Sequence, residues 1–290
     1  MGKTAVLFTC YNRMDKTIKC IESVEKAASL IGDDVEWFVI DGGSKDDTVR
    51  LLEMRSNVHV RVATGAFYSQ GMRFCMDMLD NFVEENEATF DSILLVNDDV
   101  SFYDDFLGRM LELSASDRFA ENGENIVLVG ATCHDAKQTY GGVRYRSISS
   151  YGKNPKSLLG SVKYDMVKTD DDSLRCHTFN ANCVLIPWNV YRISPRFDEN
   201  FVHCLGDFDY GMCLKGSIYS TDFYVGDCAS NSAAGTWTDK SLGRSERVKK
   251  LNEVKGAPTK QWFYYLNKHF GPIRAAVYSI SPYVRIILGR

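Results

Sequence analysis

Ser92-Ile93-Leu94-Leu95-Val96-Asn97-Asp98-Asp99 is an apolar run that stops abruptly in an acidic turn. A short apolar run bounded by a turn reads as a strand buried on both faces, as in a parallel sheet. The strand end holds the residues after it rigidly at the sheet edge. Asp99 can there bind a hard divalent cation. Mg²⁺ or Mn²⁺ takes one or two carboxylates and completes its shell with phosphate oxygens and water. A helix N-cap is the other reading of the same turn, since acidic residues are favoured there too.

Working outward, strand and helix patterns alternate. Ala5-Val6-Leu7-Phe8-Thr9 is a buried-strand run, and Ile18, Ile21, Val24 and Ala28 then recur as one face of a helix. Trp37-Phe38-Val39-Ile40 is a second strand, turning at Asp41-Gly42-Gly43-Ser44 into a helix with Val49 and Leu52. Val58 to Val62 alternates as a third strand, Met72, Cys75, Met76 and Leu79 mark a helix, and Ile126 to Gly130 is a strand after the acidic turn. This order predicts an α/β fold, with a mainly parallel central sheet and helices on both faces. Such sheets bind ligands at the carboxyl ends of their strands. The polar segments Thr9 to Arg13, Asp41 to Ser44 and Asn97 to Asp99 all fall there. Asp41 can accept the imide N–H of a uracil or thymine ring, with Gly42 and Gly43 allowing close approach, or it is a plain turn residue.

After about residue 134 the pattern loosens. Gly206-Asp207-Phe208-Asp209-Tyr210 precedes a helical pattern, and one of its carboxylates can be a general base or a helix cap. His203 reads as a polar neighbour, and Asp170-Asp171-Asp172 as a solvated loop. Ile273 to Leu288 mixes apolar residues with Arg274 and Arg285 and suits either a helix packed on the domain or one lying on an anionic membrane.

Composition narrows the class. The 290 residues suffice for one large domain with an appendage, and a net charge of −4 excludes a general nucleic-acid binder. The nine cysteines form no CxxC pair, and Met1-Gly2-Lys3 leads directly into a strand, so free thiols in a reducing cytoplasm are expected. No apolar run is long enough to span a bilayer.

Four segments together resemble glycosyltransferase family 2, with the GT-A fold. They are Thr9-Cys10-Tyr11-Asn12-Arg13, Val39 to Ser44, Leu94 to Val100, and Phe197-Asp198-Glu199 through Asp209. The likeness runs from about Thr4 to Pro272. Tyr68-Ser69-Gln70-Gly71-Met72-Arg73, Tyr140 to Val143, Asn180 to Pro187 and Gly235-Thr236-Trp237 further resemble a bacterial subgroup that builds surface polysaccharide such as O-antigen or capsule by rhamnosyl or related hexosyl transfer.

The resemblance implies an inverting hexosyltransferase that moves a sugar from a UDP- or dTDP-sugar to a hydroxyl of a glycan or lipid-linked glycan. It implies a catalytic domain over 1–235, with a nucleotide half to about 133 and an acceptor half beyond. A helical extension follows over 236–290. Asp207 is the implied base and Asp99 the ligand of Mg²⁺ or Mn²⁺. Thr9, Tyr11, Asn12, Arg13, Asp41, Gly43, Ser69, Gly71, Met72, Arg73, Asn97 and Asp98 are the implied donor contacts. Asn182, Asp209 and Trp237 are on the acceptor side. The expected location is the cytoplasm, extending to peripheral contact with the inner face of the cell membrane. Three positions depart from the family pattern: Gly42 and Asn97 stand where acids are common, and Gly206 stands where Glu often precedes the base. Two other classes compete. A sugar nucleotidyltransferase would carry a glycine-rich phosphate loop after the first strand, and Thr9 to Arg13 has no glycine. A non-catalytic sugar-nucleotide binder would have no need of both Asp99 and Asp207.

Overall fold

A computed structural model of the chain describes residues 2–119, 125–148 and 161–289. The first half is β1 (Lys3–Cys10), α1 (Met14–Ile31), β2 (Asp34–Asp41), α2 (Thr48–Glu53), β3 (Val58–Val62), α3 (Tyr68–Asn86) and β4 (Ser92–Val96). β5 (Ser101–Phe102), α4 (Phe106–Ala115), β6 (Ile126–His134), β7 (Lys137–Tyr140), β8 (Gly142–Tyr145), β9 (Tyr164–Met166), β10 (Arg175–Cys176), β11 (Thr178–Phe179) and β12 (Cys183–Pro187) follow. The chain continues through α5 (Trp188–Ile193), α6 (Gly206–Cys213) and β13 (Ser217–Asp227). It ends in α7 (Arg244–Asn252), α8 (Thr259–Phe270), α9 (Pro272–Tyr278) and α10 (Ser281–Ile287).

The main sheet runs β10-β13-β6-β12-β4-β1-β2-β3, with β5 and β7 at its margins. β4, β1, β2 and β3 are parallel neighbours, as the strand–helix alternation predicts. Their order dictates where the helices go. The chain moves one way from β1 to β2 and β3, then the opposite way from β3 to β4. Right-handed crossovers therefore put α1 and α2 on one face and α3 on the other. In agreement, α1 packs on α2 and α4, while α3 packs on β1 and β2. β12 was not foreseen as a strand of this sheet. It inserts antiparallel between β4 and β6, so the sheet is parallel in its first half and mixed in its second.

β1 and β4 flank the point at which the winding reverses, and this is where open α/β sheets leave a crevice. Register levels the strand ends there. Cys10 pairs with Asp41 across β1 and β2. Leu7 pairs with Leu95 across β1 and β4, so Asp98, three residues on, stands level with Cys10. The start of β12 meets the same edge, because Asn97 N–H donates to the Asn182 carbonyl at 3.3 Å.

The main core fills both faces of the sheet with residues such as Phe8, Trp37, Phe38 and Leu94. A second, smaller core joins Val143 and Tyr145 of β8, Phe208 and Met212 of α6, and Tyr265, Leu266 and Phe270 of α8. Each fully buried side chain of that size contributes about 1.5–3 kcal/mol. The C-terminal helices are thus anchored directly on α6. All nine cysteines are free, and no helix among the described residues is long and apolar enough to cross a membrane.

Candidate active site

A cavity of ≈ 750 Å³ opens at the reversal point. That volume lies within the usual range for a small-molecule site. Thr9, Tyr11, Asn12, Arg13, Gly43, Gly71, Asn97, Asp98, Asp99, Asn182 and Asp207 all line it. Segments up to 246 residues apart in sequence therefore line one cavity (Thr9 to Lys255).

The loop after β1 and the turn after β2 both line the cavity. They are stitched together: Asn12 N–H donates to Ser44 Oγ at 2.7 Å, and Lys45 N–H donates to Asn12 Oδ1 at 2.7 Å. Asn12 has φ 49°, a left-handed conformation that Asn tolerates better than most residues. Asp41 is fully buried and does not itself line the cavity. Its Oδ1 accepts from the N–H groups of Gly43 (2.8 Å) and Ser44 (2.6 Å), and its Oδ2 accepts from Ser44 Oγ (2.5 Å). The carboxylate thus shapes the turn and presents Gly42 and Gly43 to the cavity. Gly43 has φ 95°, and a Cβ there would crowd Thr64, which explains the glycine.

Asp98 and Asp99 follow β4 and line the same cavity. Arg13 Nη1 donates to Asp98 Oδ1 at 3.0 Å and to Asp99 Oδ2 at 3.1 Å. The two acids differ. Asp98 is 5% exposed, and Thr17 Oγ1 also donates to it at 3.4 Å. Burial pushes its carboxyl up to about 6 and the neighbouring Asp99 charge adds to this, against the opposing pull of Arg13. The Asp99 side chain is 20% exposed and keeps Oδ1 clear of Arg13, 3.9 Å from Cys228 Sγ. One cavity-facing carboxylate with a second behind it matches a hard cation that takes most of its shell from water and phosphate. The nearby thiol is a soft group that such a cation does not prefer. Asp99 fits the metal-holding role, and Asp98 fits the role of fixing Arg13.

Asp207 lies in the first turn of α6. Its Oδ1 accepts the Phe208 N–H at 2.9 Å, and the Ala181 N–H also donates to it. Burial pushes its carboxyl up to about 6, with these backbone donors opposing. A carboxylate near that value is well matched to proton transfer at neutral pH. The preceding Leu205 has φ 66°, which costs a non-glycine residue about 1–2 kcal/mol. Gly206 follows because α6 abuts α3 here: an added Cβ would collide with Ser69 Oγ. The departure from the family's Glu at this position has a steric origin.

Several expected site residues lie elsewhere. Ser69 is buried and donates to the His203 carbonyl at 2.7 Å, tying α3 to the loop before α6. Met72 is in the main core. The Arg73 guanidinium lies over the Phe74 ring, 5.4 Å from its centroid. Asp209 faces α8, where it accepts from Lys268 Nζ (2.9 Å) and pairs with His269 Nε2 (2.7 Å). Lys268 also donates to Asp198 at 2.8 Å. Burial pulls the Lys268 ammonium down, but these two carboxylates outweigh it and hold it raised. Asp209, Cys213 and His269 lie close enough together to hold a metal ion, yet the Lys268 ammonium already supplies the positive charge there. Trp237 packs toward the C-terminal helices, with Arg285 5.9 Å over its ring, and does not line the cavity.

The cavity also includes residues that no local pattern marks. Tyr68, His203 and Lys255 line it. Tyr68 stands in a motif singled out from the sequence, yet nothing there distinguishes it from its neighbours. Lys255 lies on the turn between α7 and α8 and reaches the cavity only because α8 docks on α6.

Residues 5–179, more than half of the chain, match the family model described as glycosyl transferase family 2. None of the curated proteins matches. Among solved structures, residues 1–349 of TarS from S. aureus are 16% identical with a TM-score of 0.47, over 99% of this chain and 81% of that one. The mannosyltransferase PcManGT from Pyrobaculum calidifontis, solved with GDP-Man and Mn²⁺, is 10% identical with a TM-score of 0.48, over 99% and 73%. A longer TarS chain is 15% identical with a TM-score of 0.47, and this chain spans 44% of its length.

Proposed function

Because the chain belongs to glycosyltransferase family 2, whose members take a nucleotide sugar as donor, we propose that it transfers a hexose or rhamnose with inversion. The proposed donor is a UDP- or dTDP-sugar, and the acceptor is a hydroxyl of a glycan or lipid-linked glycan. The observation that carries this reading is a single cavity lined by Arg13, Asp99 and Asp207.

In this reading Tyr11, Asn12 and the Gly42-Gly43 backbone hold the nucleoside, and Asp41 sets the shape of their turn. Arg13 faces the diphosphate. A divalent cation at Asp99 would act as a Lewis acid for charge developing on the leaving diphosphate. Asp207 takes the acceptor hydroxyl proton as the oxygen bonds to the anomeric carbon. The bond from that carbon to phosphate breaks with its electrons going to the diphosphate. Asn182 faces the acceptor, and Asp209 supports α6 through Lys268 and His269. Residues 1–235 form the catalytic unit and 236–290 the extension. Resemblance to the polysaccharide-building subgroup supports a role in bacterial surface-polysaccharide synthesis.

Thermal-shift screening of UDP-, dTDP- and GDP-sugars with and without Mn²⁺ tests the reading. A ligand at a hundredfold its Kd stabilises by about 2.7 kcal/mol, which corresponds to several degrees in a chain of this size. A UDP- or dTDP-sugar stabilises the chain more with Mn²⁺ than without. No stabilisation by any nucleotide sugar sinks the reading, and pyrophosphate release on turnover points to nucleotidyl transfer instead.

The extension supports peripheral attachment to the inner face of the cell membrane. Ile273, Val277, Ile280, Val284, Ile287 and Leu288 are each between 46% and 62% exposed. No acidic residue follows Glu253, whereas Lys255, Lys260, Lys268, Arg274 and Arg285 do. These exposed apolar residues, with the exposed cations Lys260 and Arg285, match an anionic bilayer surface. The chain is expected to co-sediment with phosphatidylcholine vesicles containing phosphatidylglycerol, but not with pure phosphatidylcholine. The double change Val277→Asp and Val284→Asp abolishes that binding. Equal recovery with both vesicle types, or none with either, counts against it.

A further inference from the structure

Around Asp207 the cavity wall holds polar groups that no described residue satisfies. The Tyr68 hydroxyl and His203 Nδ1 are buried without a hydrogen-bond partner. Both side chains line the cavity, as does Lys255. Buried polar groups are rarely left unpaired, so two on one wall point to a ligand.

Lys255 adds a charge to the same wall. Its ammonium acts on His203, whose imidazole is pushed down to about 4, first by burial and then by this cation. The ring is therefore neutral at pH 7 and offers one donor and one acceptor. Among the described residues Lys255 makes no ion pair or hydrogen bond, whereas Arg13 is paired with Asp98 and Asp99, and Lys268 with Asp198 and Asp209. The turn that carries it is fixed: Gly256 N–H donates to the Glu253 carbonyl (2.8 Å) and Ala257 N–H to the Leu251 carbonyl (2.9 Å). Lys255 is exposed at the cavity mouth with no counter-charge among the described residues, so its ammonium is available to an anionic ligand.

Lys255 acts on His203, in the loop that leads into α6 and Asp207. We propose that Lys255, His203 and Tyr68 form a subsite for an anionic group, phosphate or carboxylate, carried by the acceptor near the hydroxyl that Asp207 deprotonates. This rests on the reading of the cavity as a glycosyl-transfer site. It narrows the acceptor from any glycan to an anionic one.

The test uses the full chain and three small probes: glycerol 3-phosphate, glycerate and glycerol. Each is titrated by thermal shift, alone and with UDP and Mn²⁺ present. One of the two anions, or both, stabilises saturably and glycerol does not; the stronger anion identifies phosphate or carboxylate. Lys255→Gln weakens that anion by about 10- to 100-fold, the worth of one charge-assisted hydrogen bond. Lys255→Arg retains most of the affinity, and neither variant changes UDP binding more than about twofold. Anion affinity unaltered in Lys255→Gln, or absent in the wild type, overturns the proposal. So does a matching loss of UDP affinity, which would assign the lysine to the donor. Failure of every nucleotide to bind would refute the glycosyl-transfer reading instead, and the anion titrations would still score Lys255 separately.

Discussion

Asp207→Asn leaves donor binding intact and lowers transfer by about 100- to 10,000-fold, the usual contribution of a general base. The amide keeps the shape of the side chain and can still accept the Phe208 N–H through its oxygen. It cannot take a proton. Because the local structure survives, nucleotide-sugar stabilisation by Mn²⁺ and donor should match the wild type while single-turnover transfer collapses. The pH dependence follows the same group. Burial raises Asp207 to about 6, so the base is ionised above that value and protonated below it. Activity is therefore present at neutral pH and is lost as pH falls through about 6. Near-normal transfer in Asp207→Asn, or a wild-type profile flat down to pH 4, would remove Asp207 from the base role.

The second large effect is expected at Asp99. Asp99→Asn removes the carboxylate that faces the cavity but leaves an oxygen for Arg13. Lewis-acid stabilisation of a leaving diphosphate is worth several kcal/mol, so turnover should fall by about 100-fold or more. The distinguishing readout is binding. In the wild type, Mn²⁺ should deepen stabilisation by UDP, and a chelator should abolish the increment. In Asp99→Asn the increment should be missing from the outset, while metal-free UDP binding persists through Tyr11, Asn12 and the Gly42-Gly43 turn. Asp98→Asn provides the contrast, since that side chain is buried under Arg13 and acts by holding it. An Asp99→Asn variant that retained the full Mn²⁺ increment would move the metal elsewhere.

Much of this site can be read along the chain, for a physical reason. Buried strands are short apolar runs, and the residues just beyond them sit at the sheet edge whatever else the chain does. The placement of Arg13, Asp41 and Asp99 at the strand ends is thus found from local pattern alone. Local pattern does not reveal which way a side chain turns once placed. Asp41 looks like a base-binding carboxylate but spends both oxygens on its own turn. Met72 falls in the core and Ser69 ties α3 to the loop before α6, although both stand in a recognisable motif. The unexpected Gly206 is explained only by the α3 side chain it must clear.

By itself, then, the sequence determined an α/β sheet with acids at its strand ends, because hydrophobic periodicity and turn chemistry are local properties. It also determined the family, whose model matches residues 5–179. Tertiary structure alone decided how the rest of the cavity wall is assembled. β12 enters antiparallel and brings Asn182 to the edge of β4, α6 docks on α3 and points Asp207 inward, and α8 buries itself on α6 and carries Lys255 to the cavity. Those contacts join residues far apart in the chain, and they form because burying Tyr265, Leu266 and Phe270 against α6 is favourable, a driving force that no local spacing encodes.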